Sequence, residues 1–195
     1  MSDAAIDVLR ARYPWPGKCP NVPANPDGWF CGENRAVLQR LAAGARIVLE
    51  LGAWLGMSTR FLVDHTRGIV ITIDHWRGSS EHQNRPELAT LWETFVRNAW
   101  DRHRERLIPM RTTTLEGMRE LADLKVRPDV IYIDASHETP LVIKDLTTAI
   151  ELFPAAHIVG DDWTWDSVRA AAQTVQQQTG RRLVPHTTCY EFPPG

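Results

Sequence analysis

Pro128-Asp129-Val130-Ile131-Tyr132-Ile133-Asp134-Ala135-Ser136-His137-Glu138-Thr139-Pro140 is the stretch whose reading decides the fold. After an amphipathic run it is answered by Ala156-His157-Ile158-Val159-Gly160-Asp161-Asp162-Trp163. Val130 to Ile133 is a short apolar run with the length and β-branched content of a buried strand, and it ends at Asp134. The second run ends in the adjacent carboxylates Asp161 and Asp162. Thr139 and Pro140 supply a cap and a first-turn proline for a helix running to Phe153 between the two strands. Strand, helix, strand with acids at both strand ends predicts parallel neighbours whose carboxylates gather along one edge of a sheet. His137 is the one imidazole beside them.

The same alternation extends outward in both directions. Upstream, Arg46–Leu51, Gly68–Asp74 and Leu107–Arg111 read as strands, with helices over Glu33–Ala43, Ser58–Asp64 and Thr114 to about Leu124. Pro86–Arg106 is the longest helical pattern, with Leu88, Leu91, Trp92, Phe95, Ala99 and Trp100 on one stripe. Downstream, Asp166–Gln178 reads as a helix closed by Gly180, and Arg182–Pro185 with Thr188–Phe192 as an antiparallel hairpin around His186. The expected fold is α/β: a Rossmann-like, doubly wound, mainly parallel sheet with helices on both faces and a C-terminal antiparallel hairpin.

The 195 residues are expected to form a single domain, 1–195, with a catalytic core over 46–192. Residues 1–32 stand apart. Ser2–Arg12 can form a short helix, whereas Tyr13–Gly32 carries Pro14, Pro16, Pro20, Pro23 and Pro26 and cannot be regular. This segment is either an arm pinned to the surface or a substrate lid whose apolar underside includes Trp15, Trp29 and Phe30. Composition excludes several classes. A net charge of -2 gives no electrostatic case for nucleic acid or a membrane surface. Apolar runs fall short of a spanning helix, and Met1–Arg12 lacks the apolar core of a secretory signal. Three scattered cysteines fit free thiols in a reducing cytoplasm.

In such sheets ligands bind beyond the carboxyl ends of the strands, and the turn after the first strand is Glu50-Leu51-Gly52-Ala53-Trp54-Leu55-Gly56-Met57-Ser58. A dinucleotide fingerprint would need glycine where Trp54 and Met57 stand, and no Gly-Lys-Ser/Thr of a P-loop follows. The E-L-G-x-x-x-G-x-S turn, with Asp74 ending the second strand, instead resembles the class I S-adenosylmethionine-dependent methyltransferases. The resemblance implies cofactor contacts by Glu50, Gly52, Ala53, Gly56 and Ser58, with Asp74 holding the ribose hydroxyls. Asp74-His75-Trp76-Arg77-Gly78 is similar to the D-x-W-x-G of the macrocin and mycinamicin sugar O-methyltransferases. Trp76 would there flank the adenine or ribose, or else plug the sheet edge. Thr113, after the third strand, would lie near the adenine. Where relatives often place an acid after the glycine, Ser79 and Ser80 stand.

In the sugar enzymes, and in the distantly similar catechol O-methyltransferases, the acids matching Asp134 and Asp161 bind magnesium, with the position matching Asp162 also a ligand. The resemblance implies Mg2+ or another divalent cation on Asp134, Asp161 and Asp162, Asp134 bordering the cofactor as well, and His137 as general base. Carboxylates are the hard ligands such an ion prefers. Without it, His137 would be a helix-entry residue and the paired acids a cap. Trp163 and Trp165, with Trp29 from the arm, are expected to wall a substrate pocket for a flat or sugar-like face. The expected reaction is O-methylation of a hydroxylated small molecule, with neither nucleic acid nor membrane as partner and with a homo-oligomer compatible. Two alternatives are an iron oxygenase-like enzyme similar to proteins associated with cephalosporin hydroxylation, and a non-catalytic binding module. The first wants two histidines and one carboxylate, and only His137 lies beside the acids. The second should have lost Gly52, Asp74, Asp134 or His137, and all are present. His75, His82, His157 and His186 are read as ordinary histidines.

Overall fold

A computed structural model describes residues 3–195; Ser2, where the first helix was expected to begin, lies outside the described residues. The sheet has seven strands: β1 (Ile47–Leu51), β2 (Ile69–Asp74), β3 (Leu107–Arg111), β4 (Val130–Ile133), β5 (His157–Gly160), β6 (Val184–Pro185) and β7 (Tyr190–Phe192). Their spatial order is β3-β2-β1-β4-β5-β7-β6. β1 to β5 are parallel, and β7 runs antiparallel to both β5 and β6. The doubly wound sheet with its terminal hairpin is therefore as the alternation predicts. Because β2 and β3 lie on one side of β1 and β4 on the other, the chain reverses direction of winding between β1 and β4. The ligand crevice of an open α/β sheet opens at such a reversal.

Period-two alternation along β1 sorts the core into two halves. Ile47, Leu49 and Leu51 point to one face, which packs α1 (Asp3–Arg12), α5 (Thr114–Asp123), α6 (Thr139–Leu152) and α7 (Asp166–Thr179). Val48 points to the other, under α2 (Gly32–Ala42), α3 (Met57–His65) and α4 (Leu91–Ala99). The first helix is no loose end, since Ala5, Ile6 and Leu9 are buried in the core.

The long helical pattern of Pro86–Arg106 is the main departure from the expectation. It breaks into a 3-10 turn (Pro86–Thr90), α4, and a second 3-10 turn (Arg104–Arg106). Thr90 leaves helical geometry at φ -135°, ψ 25° and turns its hydroxyl to Thr94. The apolar spacing survives this break, which is why periodicity alone reads through it. One smaller cap also differs: Thr139 donates its hydroxyl to the Ser167 carbonyl at 3.0 Å while Glu138 occupies the cap position.

The proline-rich arm is pinned along α3, α4 and the start of β3. Trp15 Nε1 donates to the Leu107 carbonyl, Asn98 exchanges two hydrogen bonds with the Asn25 backbone, and Arg60 donates to the Pro26 carbonyl. Its last residues then turn in to reach the crevice.

Candidate active site

Two cavities open along the carboxyl edge of the sheet, one of about 520 Å³ and one of about 440 Å³. They share Gly52, Trp54, His82, Asp134 and Ala135 as a common wall. Gly52 is at the centre of this geometry. Its φ is +88°, and a Cβ there would lie 1.9 Å from the Asp134 carbonyl oxygen, so only glycine lets the β1 turn pass the end of β4 so closely.

The smaller cavity holds Asp74 and Thr113. Asp74 ends β2, and its carboxylate is tied into the β1 turn. Oδ2 accepts from the Ala53 and Trp54 amides at 2.9 and 3.0 Å, and Oδ1 from the Trp76 amide at 2.6 Å. Trp54 and Trp76 both have φ of 49°, a left-handed conformation that bulky residues rarely adopt. The strain is held by these amide bonds and by Trp76 Nε1, which donates to the Trp54 carbonyl at 3.1 Å. Thr113 is the N-cap of α5, its hydroxyl accepting from the Glu116 amide while the Glu116 carboxylate accepts from the Thr113 hydroxyl.

The larger cavity holds the acidic edge. Asp134, His137 and Asp162 each offer a ligand atom, all within 4.8 Å of one another. His137 Nδ1 bonds Glu81, which arrives on the 3-10 turn Ser80–His82 after β2. Its Nε2 lies 2.6 Å from Asp162 Oδ2, an ion-pair contact. Asp162 and Glu81 together push the imidazole up to about 9. Withdrawal from bulk water, then repulsion from Asp161 and Asp162, raises the Asp134 carboxyl well above the ordinary range. Asp162 itself has φ of 58°, which swings its carboxylate toward His137.

Asp161 stands differently from the other two acids. Asn34, on α2 and fully buried, donates to Oδ1; the Asp162 amide does the same at 2.7 Å, and Tyr132 Oη donates to Oδ2 at 2.5 Å. It lines the cavity, yet its oxygens are already committed. The expected trio of ligands is therefore geometrically a group of Asp134, Asp162 and His137, with Asp161 behind it.

Four further expectations are corrected by the structure. Glu50 lines neither cavity: alternation on β1 turns it with Val48 under α3, where Ser58, Thr59 and Thr72 hydroxyls all donate to it. It is fully buried, and that burial pushes its carboxyl up to about 7. Trp76 is buried at 3% exposure against Trp92 and Phe95, so it plugs the sheet edge rather than flanking a ligand. Trp163 also lines neither cavity. Its ring packs against Tyr190 at 5.5 Å, and Trp165 alone of that pair faces the site, stacked on His137 at 4.5 Å. Gly56, likewise, faces the Phe95 ring and not a cavity. Gly52, Ala53 and Ser58 do line the larger cavity, and Trp29 and Phe30 of the arm reach it.

Sequence reading missed Asn34, Tyr132, Glu81 and His82. Asn34 is a polar residue on the same stripe as Val37 and Leu38, a signal that could have marked it. His82 is no ordinary surface histidine: it stacks on Trp29 and tilts against Trp54 at 4.5 Å. His157 and His186 are also partnered, both at 2.6 Å from the buried Glu191, which Arg40 reaches from α2. Among the described residues no helix is long and apolar enough to cross a membrane.

A Rossmann-like sheet with an acid at the end of β2 and an acidic edge at β4 and β5 defines a class I methyltransferase architecture. Residues 49–163, more than half of the chain, match the family described as "Methyltransferase domain", and the chain belongs to that family. No curated protein sequence matches it. Among solved structures it is similar to an O-methyltransferase from Bacillus cereus in complex with SAH, at 18% identity over 97% of this chain and 88% of that one, with a TM-score of 0.58. It is also similar to the O-methyltransferase TomG from Streptomyces achromogenes in complex with SAM, at 15% identity, 100% and 91% coverage and a TM-score of 0.64. A third is a TDP-rhamnose 3'-O-methyltransferase of calicheamicin biosynthesis, at 13% identity, 84% and 78% coverage and a TM-score of 0.59. At these identities the likeness is one of fold.

Proposed function

We propose that this chain is an S-adenosylmethionine-dependent O-methyltransferase that methylates a hydroxyl of a small molecule with the help of a divalent cation. The observation that carries the reading is the pair of cavities meeting at Gly52, one holding Asp74 and the other Asp134, His137 and Asp162. A cofactor lying across that wall would be held by Asp74 on one side and bordered by Asp134 on the other. The structures solved with SAH and with SAM share this fold and support that cofactor.

The donor set fits a cation. Two carboxylates converge beside an imidazole, and burial followed by repulsion from Asp161 and Asp162 holds the Asp134 carboxyl above its ordinary range, a penalty that a hard cation would relieve. Asp134 and Asp162 would hold the ion, with Asp161 set behind them by Asn34 and Tyr132. When bound, a divalent cation supplies charge to these carboxylates and acidifies a hydroxyl that it ligates. His137, relieved of the pull that raises its imidazole once Asp162 holds a cation, is free to take the hydroxyl proton at Nε2 while Glu81 on Nδ1 fixes the ring's orientation. Trp165, Trp29 and Phe30 give the cavity its apolar lining. The acceptor is a free small molecule, and the protein works in the cytoplasm as one methyltransferase domain, as a monomer or a homo-oligomer.

Methyl transfer from labelled S-adenosylmethionine to a panel of hydroxylated sugars, polyols and catechols, with added magnesium and with excess chelator, tests the reading. Transfer is expected with magnesium, and chelation or an Asp134→Ala change should abolish it while largely sparing cofactor binding. Full activity in chelator would remove the cation from the mechanism.

A further inference from the structure

The larger cavity is lined by the acids Asp27, Glu81, Asp134, Asp161 and Asp162, and by one arginine, Arg85. Among the described residues the Arg85 guanidinium has no ion pair and no side-chain hydrogen bond. It lies over the Trp29 ring, 4.6 Å from the centroid. The other arginines nearby are already used. Arg60 donates to the carbonyls of Gly56 and Pro26, and Arg35 bonds the Phe30 carbonyl and lies over the Phe30 and Phe61 rings. Neither lines the cavity. Arg85 is thus a planar fork of five donors with nothing protein-borne to receive them, held in place by an aromatic face.

The charge pattern of the cavity therefore has two parts. One holds Asp134, Asp162 and His137, with Trp165 stacked on the imidazole. The other holds Arg85 and Trp29, with His82 stacked on the Trp29 ring at 5.7 Å. Aromatic faces border both parts, which favours a flat acceptor with its reacting hydroxyl at the first part. Arg85, at the exposed rim beside Trp29, is then placed to receive a negative group on the same molecule through its free donors. We propose that the acceptor is a planar hydroxylated molecule that carries an anionic group, a carboxylate or a phosphate, and that Arg85 is the residue selecting for it. This rests on the methyltransferase reading above and narrows it to a substrate class.

The test uses two probes of the same shape, 3,4-dihydroxybenzoate and the neutral 3,4-dihydroxybenzamide. Each is titrated calorimetrically into the full chain in S-adenosylhomocysteine and magnesium, beside an Arg85→Gln variant. Arg85 is exposed, and S-adenosylhomocysteine affinity serves as the folding control. The benzoate should bind about tenfold more tightly than the benzamide, and that ratio should fall to about two or less in Arg85→Gln. Equal affinities in the native chain, or a ratio that survives the substitution, would overturn the proposal, because a guanidinium that merely braces Trp29 would weaken both probes alike. Binding of S-adenosylhomocysteine with neither probe bound overturns it too, and leaves the methyltransferase reading standing. Failure to bind S-adenosylhomocysteine removes the reading beneath it.

Discussion

Asp74 and Asp134 end two strands of one sheet a short distance apart, yet their surroundings are opposite. Asp74 is finished by the protein itself: three backbone amides of the β1 and β2 turns donate to its two oxygens. Asp134 has Asp161 and Asp162, the His137 imidazole and a weakly placed Tyr132 hydroxyl, 3.5 Å away, as its nearest company. The first carboxylate is a structural clamp that also faces a cavity; the second is buried among acids that repel it, offset only in part by His137. In the proposed reading, a divalent cation would balance that group, while Asp74 shapes the turn after β1.

The sharpest way to break this contrast is to remove each charge. Asp134→Asn should lower transfer at least a thousandfold, on the order of 4 kcal/mol, while raising the melting temperature of the metal-free chain, because it removes repulsion. Asp74→Asn should do the reverse to stability, costing about 1–3 kcal/mol as amides lose their acceptor. Both melting curves measured without metal decide it; a loss of stability in Asp134→Asn would contradict the idea of a carboxylate repelled by its neighbours. A middle-sized effect is expected at Asn34, which touches Asp161 and not the three-residue group. Asn34→Ala should weaken magnesium binding about tenfold, as removal of a supporting partner does, with cofactor affinity held as the control. Unchanged magnesium affinity would make Asn34 a packing residue only.

The smallest effect sharpens the contrast from a third carboxylate. Glu50 is buried like Asp134 but satisfied by three hydroxyls, and its carboxyl sits at about 7, above its ordinary 4.5. Between those values the folded chain keeps a proton that the unfolded chain has released, so this group makes stability fall as pH rises through that window. Glu50→Gln should flatten the fall between pH 4.5 and 7, read from denaturant midpoints at several pH values. An unchanged slope would place the effect elsewhere.

Much of this was legible in the sequence because parallel strands announce themselves as short apolar runs, and their ends are marked when acids follow. The alternation of strands and helices, the turn at Gly52 and the acids Asp74, Asp134, Asp161 and Asp162 all belong to such local signals. What was not legible depends on direction and distance. Glu50 and Trp163 sit in the right stretches, but their side chains point under α3 and against Tyr190. Asn34, more than a hundred residues from Asp161 in sequence, reaches it only because α2 packs beside β5's exit. Glu81 reaches His137 from the loop after β2, where the acid expected directly after Gly78 is displaced by Ser79 and Ser80. The apolar stripe of Pro86–Arg106 is real, but a stripe does not record the break at Thr90.

Calorimetric titration of S-adenosylmethionine into the full chain, beside an Asp74→Ala variant, tests the central claim most directly. The native chain should bind in the micromolar range, and the variant should lose that binding. Absence of binding by the native chain, with or without magnesium, would contradict the methyltransferase reading and favour a binding module built on the same sheet.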